Sequence, residues 1–305
     1  MSPTLRAGGR TVFGKAGHGP VRALCEVVAR RREGAYLSIT VAAADIAERA
    51  WPGQFINVAV GAPGTLLRRP FSIYRTSRQG PWAGTVEFVL DPHGPGTHWL
   101  AERVAHDVLD VVGPLGEAFP LPQQRVSSLL VGGGYGAAPL FFLADALQAE
   151  GQRVDMVIGA ATAERIFNAM EAKRTSASVA FTTEDGSLGE RGRVTDVLAQ
   201  VAAECRSSVV YACGPMPMLR AVSLQCIELG LPCQVAVEEH MACGVGVCWT
   251  CVIPVRGRDG NPRMRRACID GPVFNGARIA WDASRWDPAL PPAVSPSGAP
   301  GADGG

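Results

Sequence analysis

The sequence predicts a multidomain chain: an antiparallel β-barrel, then an α/β domain on a parallel sheet, then a small C-terminal domain organised by cysteines. Three observations predict it. Up to about residue 120 the chain is a series of short β-rich runs punctuated by Gly and Pro, the texture of a small antiparallel barrel. From residue 125 to about 237 strand-length and helix-length segments alternate, which implies parallel strands covered on both faces. Cys243, Cys248 and Cys251 then fall within nine residues and are answered by Cys268. This C-x4-C-x2-C run with one distant fourth thiol is the spacing that holds a plant-type [2Fe–2S] cluster.

The expected division is a flexible extension (1–20), the barrel (21–122), the α/β domain (123–237), the cluster domain (238–282) and a Pro/Gly/Ala/Ser-rich disordered tail (283–305). The barrel strands are expected at Arg22–Arg31, Tyr36–Val41, Phe55–Val60, Phe71–Tyr74, Thr85–Leu90 and Val108–Val112. The parallel strands are expected at Ser127–Val131, Val154–Gly159, Ala177–Thr182, Ser208–Ala212 and Gln234–Val237. Helices fill the gaps at Ala137–Ala149, Glu164–Lys173, Val194–Ala203 and Met216–Leu229, and a further helical stretch is expected at His98–Val104.

Composition narrows the function. A formal charge of +1 over 305 residues gives no global electrostatic case for nucleic acid or an anionic membrane surface. Nine cysteines, an odd number with four in one constellation, are too sparse for a disulfide-stapled secreted scaffold and point to a reducing cytoplasm. Met1–Pro20 carries Arg6, Arg10 and Lys15 among glycines, without the apolar run of a secretory signal. Val126–Ala144 has no charged residue over nineteen positions, long enough for a membrane span. Its Gly132-Gly133-Gly134-Tyr135-Gly136 run and Pro139 would break a helix in lipid, so it reads as strand, phosphate loop and helix.

Five motifs carry chemistry. In the cysteine segment, Gly244 and Gly246 allow backbone N–H groups to approach a cluster's sulfides; the alternatives are a zinc knuckle, which usually pairs its cysteines twice over, and a chance clustering of buried cysteines. In the barrel, Arg68-Arg69-Pro70-Phe71-Ser72 offers a guanidinium for a diphosphate and a hydroxyl for a ring edge. Downstream, Gly94-Pro95-Gly96-Thr97 opens a helix whose first N–H groups suit phosphate. In the α/β domain, Gly132, Gly134 and Ala137 fit G-x-G-x-x-A between a strand and a helix, and Gly136 continues the loop. Cys213-Gly214-Pro215 ends a later strand, where a small thiol and a glycine could let a nicotinamide approach a flavin; an ordinary buried Cys and turn is the alternative. Asp155 sits at the wrong end of its strand to bind a ribose, so the choice between NADH and NADPH is not readable. Arg256, Arg258, Arg263, Arg265 and Arg266 against Asp259 read as a solvated hairpin tip, with an acidic docking partner as the other option.

The order of these pieces resembles the ferredoxin–NADP reductase superfamily and, within it, the electron-transfer subunits of dihydroorotate dehydrogenase B. The resemblance spans about Val21 to Trp281 and is strongest at Glu238–Cys251, Arg266–Phe274, Thr183–Gly189 and Gly192–Asp196. It implies a barrel that binds FAD at Arg69, Pro70, Phe71, Ser72, Val89, Leu90, Asp91, Gly96 and Thr97, and cluster ligation by Cys243, Cys248, Cys251 and Cys268. It also implies NAD(H) as co-substrate at the Gly132, Gly134, Gly136, Cys213 and Gly214 segments. His240, Tyr135 and Asp91 depart from the family pattern, which usually has arginine, a small aliphatic residue and a basic residue there.

The implied partner is an FMN-containing dihydroorotate dehydrogenase catalytic subunit, in a heterotetramer of two of each. Electrons from dihydroorotate would pass through [2Fe–2S] and FAD to NAD+, as pyrimidine biosynthesis requires. No residue here reads as a catalytic base for dihydroorotate, consistent with that chemistry lying on the partner. Two rivals stand beside this reading: a reductase of the same architecture serving another acceptor, of the oxygenase-reductase or sulfide dehydrogenase type, and a non-enzymatic metal-binding interaction module.

Overall fold

Apolar residues at alternate positions of six strands turn inward and close a barrel. The computed structural model describes residues 3–6 and 19–283; the rest of the expected N-terminal extension, and the expected tail beyond residue 283, lie outside the described residues. A two-residue strand β1 (Leu5–Arg6) is followed by β2 (Val21–Glu33), β3 (Tyr36–Ala42), β4 (Phe55–Val58), β5 (Arg69–Ser77), β6 (Thr85–Leu90) and β7 (Val108–Leu115). The closed order is β2-β3-β6-β5-β4-β7, all antiparallel. Its interior holds Val27, Ile39, Val41, Ile56, Val58, Ile73, Val86, Phe88 and Val111, and Ile46 of the short helix α1 (Ala44–Arg49) packs with them. The helical stretch expected at His98–Val104 starts earlier, as α2 (Pro95–Ala101), because Pro95 suits the first turn, where its missing N–H costs nothing.

The barrel seam between β2 and β7 is tied by charge. Arg22 and Arg68 each place Nη2 2.7 Å from Asp110 Oδ2, and Arg68 Nη1 also donates to the Asp110 carbonyl. Hydrogen bonds from Arg22 and then Arg68 hold the Asp110 carboxyl down to about 2, against burial, which pushes it up. A carboxylate depressed on folding stabilises above its unfolded pKa of about 4, and that contribution fades as the pH falls toward the folded value. Asp110→Asn is therefore expected to cost about 1 kcal/mol near pH 7, a partly solvated pair being worth no more. Urea denaturation near pH 7 and near pH 3 checks this: the gap between variant and wild type should narrow at the lower pH.

The second domain is a seven-stranded sheet. A two-residue strand β8 (Leu121–Pro122) pairs with β1 and leads to β9 (Ser127–Gly133), β10 (Arg153–Ala160), β11 (Ser178–Thr183), β12 (Glu190–Arg191), β13 (Val209–Cys213) and β14 (Cys233–Ala236). After a hairpin, β15 (Val252–Arg256) and β16 (Pro262–Arg266), the strand β17 (Val273–Asn275) returns to the sheet. The order is β12-β11-β10-β9-β13-β14-β17, parallel except for β17. Leu130, Met156 and Ile158 face α3 (Ala138–Ala149), while Leu129, Val131 and Val157 face α5 (Val194–Glu204) and α6 (Met216–Glu228). The latter core continues into the C-terminal domain through Cys251, Ile253, Ala267, Cys268 and Ile279.

One expected helix is corrected. The segment 164–173 is not a single helix: a 3-10 turn at Ala163–Arg165 is followed by α4 (Ala169–Thr175). Ile166 and Phe167 break away to fill the core, and Asn168 takes a left-handed φ of 47° before the helix starts, a conformation asparagine tolerates. With β10 and β13 on opposite sides of β9, the sheet has its switch point at the carboxyl ends of β9 and β13, where ligands of such sheets lodge.

Candidate functional site

The cysteine segment folds as a loop rather than a helix or strand, since Gly244 and Gly246 take φ of +69° and +83°. That path turns successive N–H groups inward. Val245, Val247 and Cys248 N–H all donate to Cys243 Sγ, at 3.4, 3.3 and 3.5 Å. The Thr250 hydroxyl donates to Cys248 Sγ at 3.2 Å, and this bond chiefly lowers the Cys248 thiol to about 6. Cys251 and Cys268 are buried, and desolvation pushes Cys268 up to about 12. Among the described residues no three Cys, His, Asp or Glu side chains converge as ligands of a single metal ion. The four thiols are close enough to feel one another, Cys248 the Cys243 sulfur and Cys268 those of Cys251 and Cys243.

Arg266 holds the loop from behind: it donates to the Gly246 carbonyl at 2.9 Å and lies 4.5 Å over the Trp249 ring. Three other hairpin arginines are taken up locally, Arg256 by Asp282, Arg263 by Asp259 and Arg265 by Asp270.

Between the barrel, the sheet and this loop lies a cavity of about 710 Å³, within the range of cofactor pockets. Arg69, Pro70, Phe71 and Ser72 of β5, Val89, Leu90 and Asp91 at the end of β6, and Gly96 and Thr97 of α2 all line it. The cysteine segment supplies Met241, Ala242 and Thr250 to the opposite side. Arg69 Nε sits 3.2 Å from where a Cβ on Gly96 would fall, so a guanidinium and the first N–H groups of α2 are side by side. The Thr97 hydroxyl accepts from His93 and Gly94 N–H at 3.1 Å and is spent shaping that turn. The Asp91 carboxylate is bound by Arg165 at 2.6 Å, and its backbone carbonyl lies 2.8 Å from His93 Nδ1.

A second cavity of about 410 Å³ opens at the carboxyl ends of the parallel strands. Gly134, Gly136 and Gly214 line it, together with Tyr36, Arg165, Glu184, Arg193 and Thr195. Gly132 lines neither cavity; a Cβ there would lie 2.5 Å from that of Ala137, so its smallness serves the packing of strand on helix turn. Asp155 is fully buried and bonded to Arg153, Ser127 and Ser178, far from ribose duty. Cys213 faces the larger cavity, and burial pushes its thiol up.

The two cavities share Tyr135, Gly136, Gly214, Pro215, Pro217 and Glu238. At this wall the backbones touch: a Cβ on Gly136 would stand 2.6 Å from Gly214 Cα. Tyr135 donates to Glu238 Oε1 at 3.0 Å and lies 5.5 Å, ring to ring, from Tyr36. Sequence reasoning missed Tyr36, Arg165, Glu184 and Arg193 as wall residues, for they come from separate segments with no shared spacing.

Residues 238–280 match the family model described as the iron-sulfur cluster binding domain of dihydroorotate dehydrogenase B, and residues 130–224 match an oxidoreductase NAD-binding domain. The chain is 35% identical over 241 residues to the dihydroorotate dehydrogenase B (NAD(+)) electron transfer subunit of Desulforamulus reducens, covering 79% of this chain and 90% of that one. It is 39% identical over 245 residues to the subunit of the same name from Bacillus caldolyticus, covering 79% and 91%. Among solved structures, one of an NADH-dependent reduced ferredoxin-NADP oxidoreductase superposes with a TM-score of 0.72 at 31% identity, over 85% of this chain and 91% of that one. The ferredoxin reductase of carbazole 1,9a-dioxygenase shares the fold, with a TM-score of 0.60 at 24% identity over 71% and 68%.

Proposed function

The chain belongs to the family of dihydroorotate dehydrogenase B (NAD(+)) electron transfer subunits, and from that premise we propose that it carries electrons, released when a partner catalytic subunit oxidises dihydroorotate, to NAD+. When bound, the [2Fe–2S] cluster passes single electrons, nicotinamide exchanges a hydride, and FAD does both and so links them. The observation that carries this reading is spatial order. The 410 Å³ cavity meets the 710 Å³ cavity at Gly136 and Gly214, and the cysteine segment walls the far side of the larger one.

In this reading Arg69 and the N-terminus of α2 receive the FAD diphosphate, while Pro70, Phe71, Ser72, Val89, Leu90 and Asp91 shape the rest of its bed. Gly134, Gly136, Cys213 and Gly214 admit the nicotinamide nucleotide; Gly132 supports them by packing. Cys243, Cys248, Cys251 and Cys268 ligate the cluster. The domains run 21–122, 123–237 and 238–282.

Beside the exposed Cys248 in the loop, the side chains of Val245, Val247 and Trp249 are also exposed, an apolar edge of the kind that marks a protein partner. It suits the catalytic subunit, taken to carry FMN and to assemble two-by-two with this chain in the cytoplasm. No helix of the described residues is long and apolar enough to cross a membrane. The likeness to an NADH-dependent ferredoxin-NADP oxidoreductase favours one second reading, the same electron path serving a different partner.

Anaerobic co-expression with the catalytic subunit tests the choice. The purified complex is expected to reduce NAD+ when given dihydroorotate. A complex that holds FAD and iron and oxidises NADH, but ignores dihydroorotate, would instead support the second reading.

A further inference from the structure

Asn57 stands on β4 with its side chain directed away from the barrel interior that takes Ile56 and Val58. It is 1% exposed, covered by the cysteine segment. Its Nδ2 donates to the backbone carbonyl of Cys243 at 3.0 Å, a tie across 186 positions of sequence. The fit is close: a Cβ on the next residue, Gly244, would fall 2.2 Å from the same nitrogen. The other half of the amide is not satisfied. Asn57 Oδ1 is buried without a hydrogen-bond partner, and the residue opposite on β5 is Pro70, which has no N–H to give. A buried amide with an orphaned oxygen costs stability that an apolar side chain of similar size would not. Folding alone therefore does not account for asparagine here.

The bond fixes one peptide. With the Cys243 carbonyl drawn to the barrel, the following backbone can turn its Val245, Val247 and Cys248 N–H groups onto the Cys243 sulfur. Hydrogen bonds to ligating sulfurs, and the dipoles around them, set the potential of an iron–sulfur centre. A carbonyl released toward the cluster would bring its negative end closer and disfavour the reduced form.

We propose that Asn57 is a positioning residue for the redox centre: it holds the Cys243–Gly244 peptide so that N–H donors, and not a carbonyl, face the cluster. This sets how electrons divide between the cluster and the flavin. The proposal rests on the cluster reading above, and its test separates the two.

The test is an EPR-monitored redox titration of the full chain, as wild type and as Asn57→Leu, with iron and FAD content measured on each. Asn57→Leu is expected to keep both cofactors while its cluster midpoint falls, shifting the electron equilibrium toward the flavin about tenfold, or about 59 mV for one electron. Asn57→Val, a smaller apolar side chain suited to a strand and likewise without a donor, is expected to shift it in the same direction. A loaded Asn57→Leu at the wild-type potential overturns the proposal. If the leucine variant does not load, a loaded valine variant at the wild-type potential does so equally. Loss of the cluster from both variants with FAD retained overturns it too, leaving Asn57 a folding residue of the loop. Wild-type protein reconstituted without iron uptake would instead sink the cluster reading itself.

Discussion

Cys251→Ser is expected to lose its iron and to deliver electrons from the partner to NAD+ more than ~100-fold slower, since even outer-shell changes at metal sites cost 10–100-fold. NADH should still reduce the bound FAD, because the wall that joins the two cavities lies on Gly136 and Gly214, away from the thiols. Cys251 is the informative choice among the four. It is 1% exposed and packs in one core with Ile253, Ala267 and Ile279, whereas Cys248 stands at the exposed edge. A serine hydroxyl left there without a partner adds a folding cost of about 1–3 kcal/mol, so the melting temperature should fall along with the iron. Iron assay, EPR and stopped-flow reduction of the flavin by NADH read the three effects separately. Wild-type iron content in this variant would remove Cys251 from the ligand set.

How much of this was legible in the sequence depended on whether the chemistry is local. The thiol spacing was legible because one loop has to supply three ligands, and only certain spacings and glycines allow that. The barrel strands were legible because Gly and Pro bound each run and the residues between alternate. The runs Arg69–Ser72 and Val89–Asp91 are far apart in sequence yet line one cavity; the first showed its guanidinium and hydroxyl in the sequence itself, while the second came only with the family resemblance. The helix boundary at Asn168 was illegible, because Ile166 and Phe167 look as helical as their neighbours until the core claims them. β17 was missed for a related reason: three residues carry no period, and its pairing with β14 is a tertiary event. Asn57 was the least legible of all. An asparagine in a strand reads as a solvated face, and nothing local says that a loop 186 residues on will cover it.

Gly136→Ala is expected to slow reduction of the flavin by NADH about 100-fold while leaving FAD and iron in place. Hydride transfer needs donor and acceptor about 3–3.5 Å apart, and a misplacement of about 1 Å costs on the order of 10² in rate. At the wall between the cavities there is no slack to absorb a methyl group. Its Cβ would stand 2.6 Å from Gly214 Cα and 3.0 Å from Gly214 N, backbone atoms that cannot rotate aside as a side chain would. The strand ends must therefore part, which separates the two cofactor beds and costs about 1–3 kcal/mol of stability as overpacking. The substitution leaves Arg69 and the cysteine loop untouched, so cofactor content serves as the control for folding. Stopped-flow traces over a range of NADH concentrations distinguish the mechanism: a lower limiting rate at near-normal affinity is the expected signature. A variant that reduces flavin at the wild-type limiting rate would show that hydride does not cross at Gly136 and Gly214, and that the spatial order proposed for the nucleotide, flavin and cluster is wrong at its first step.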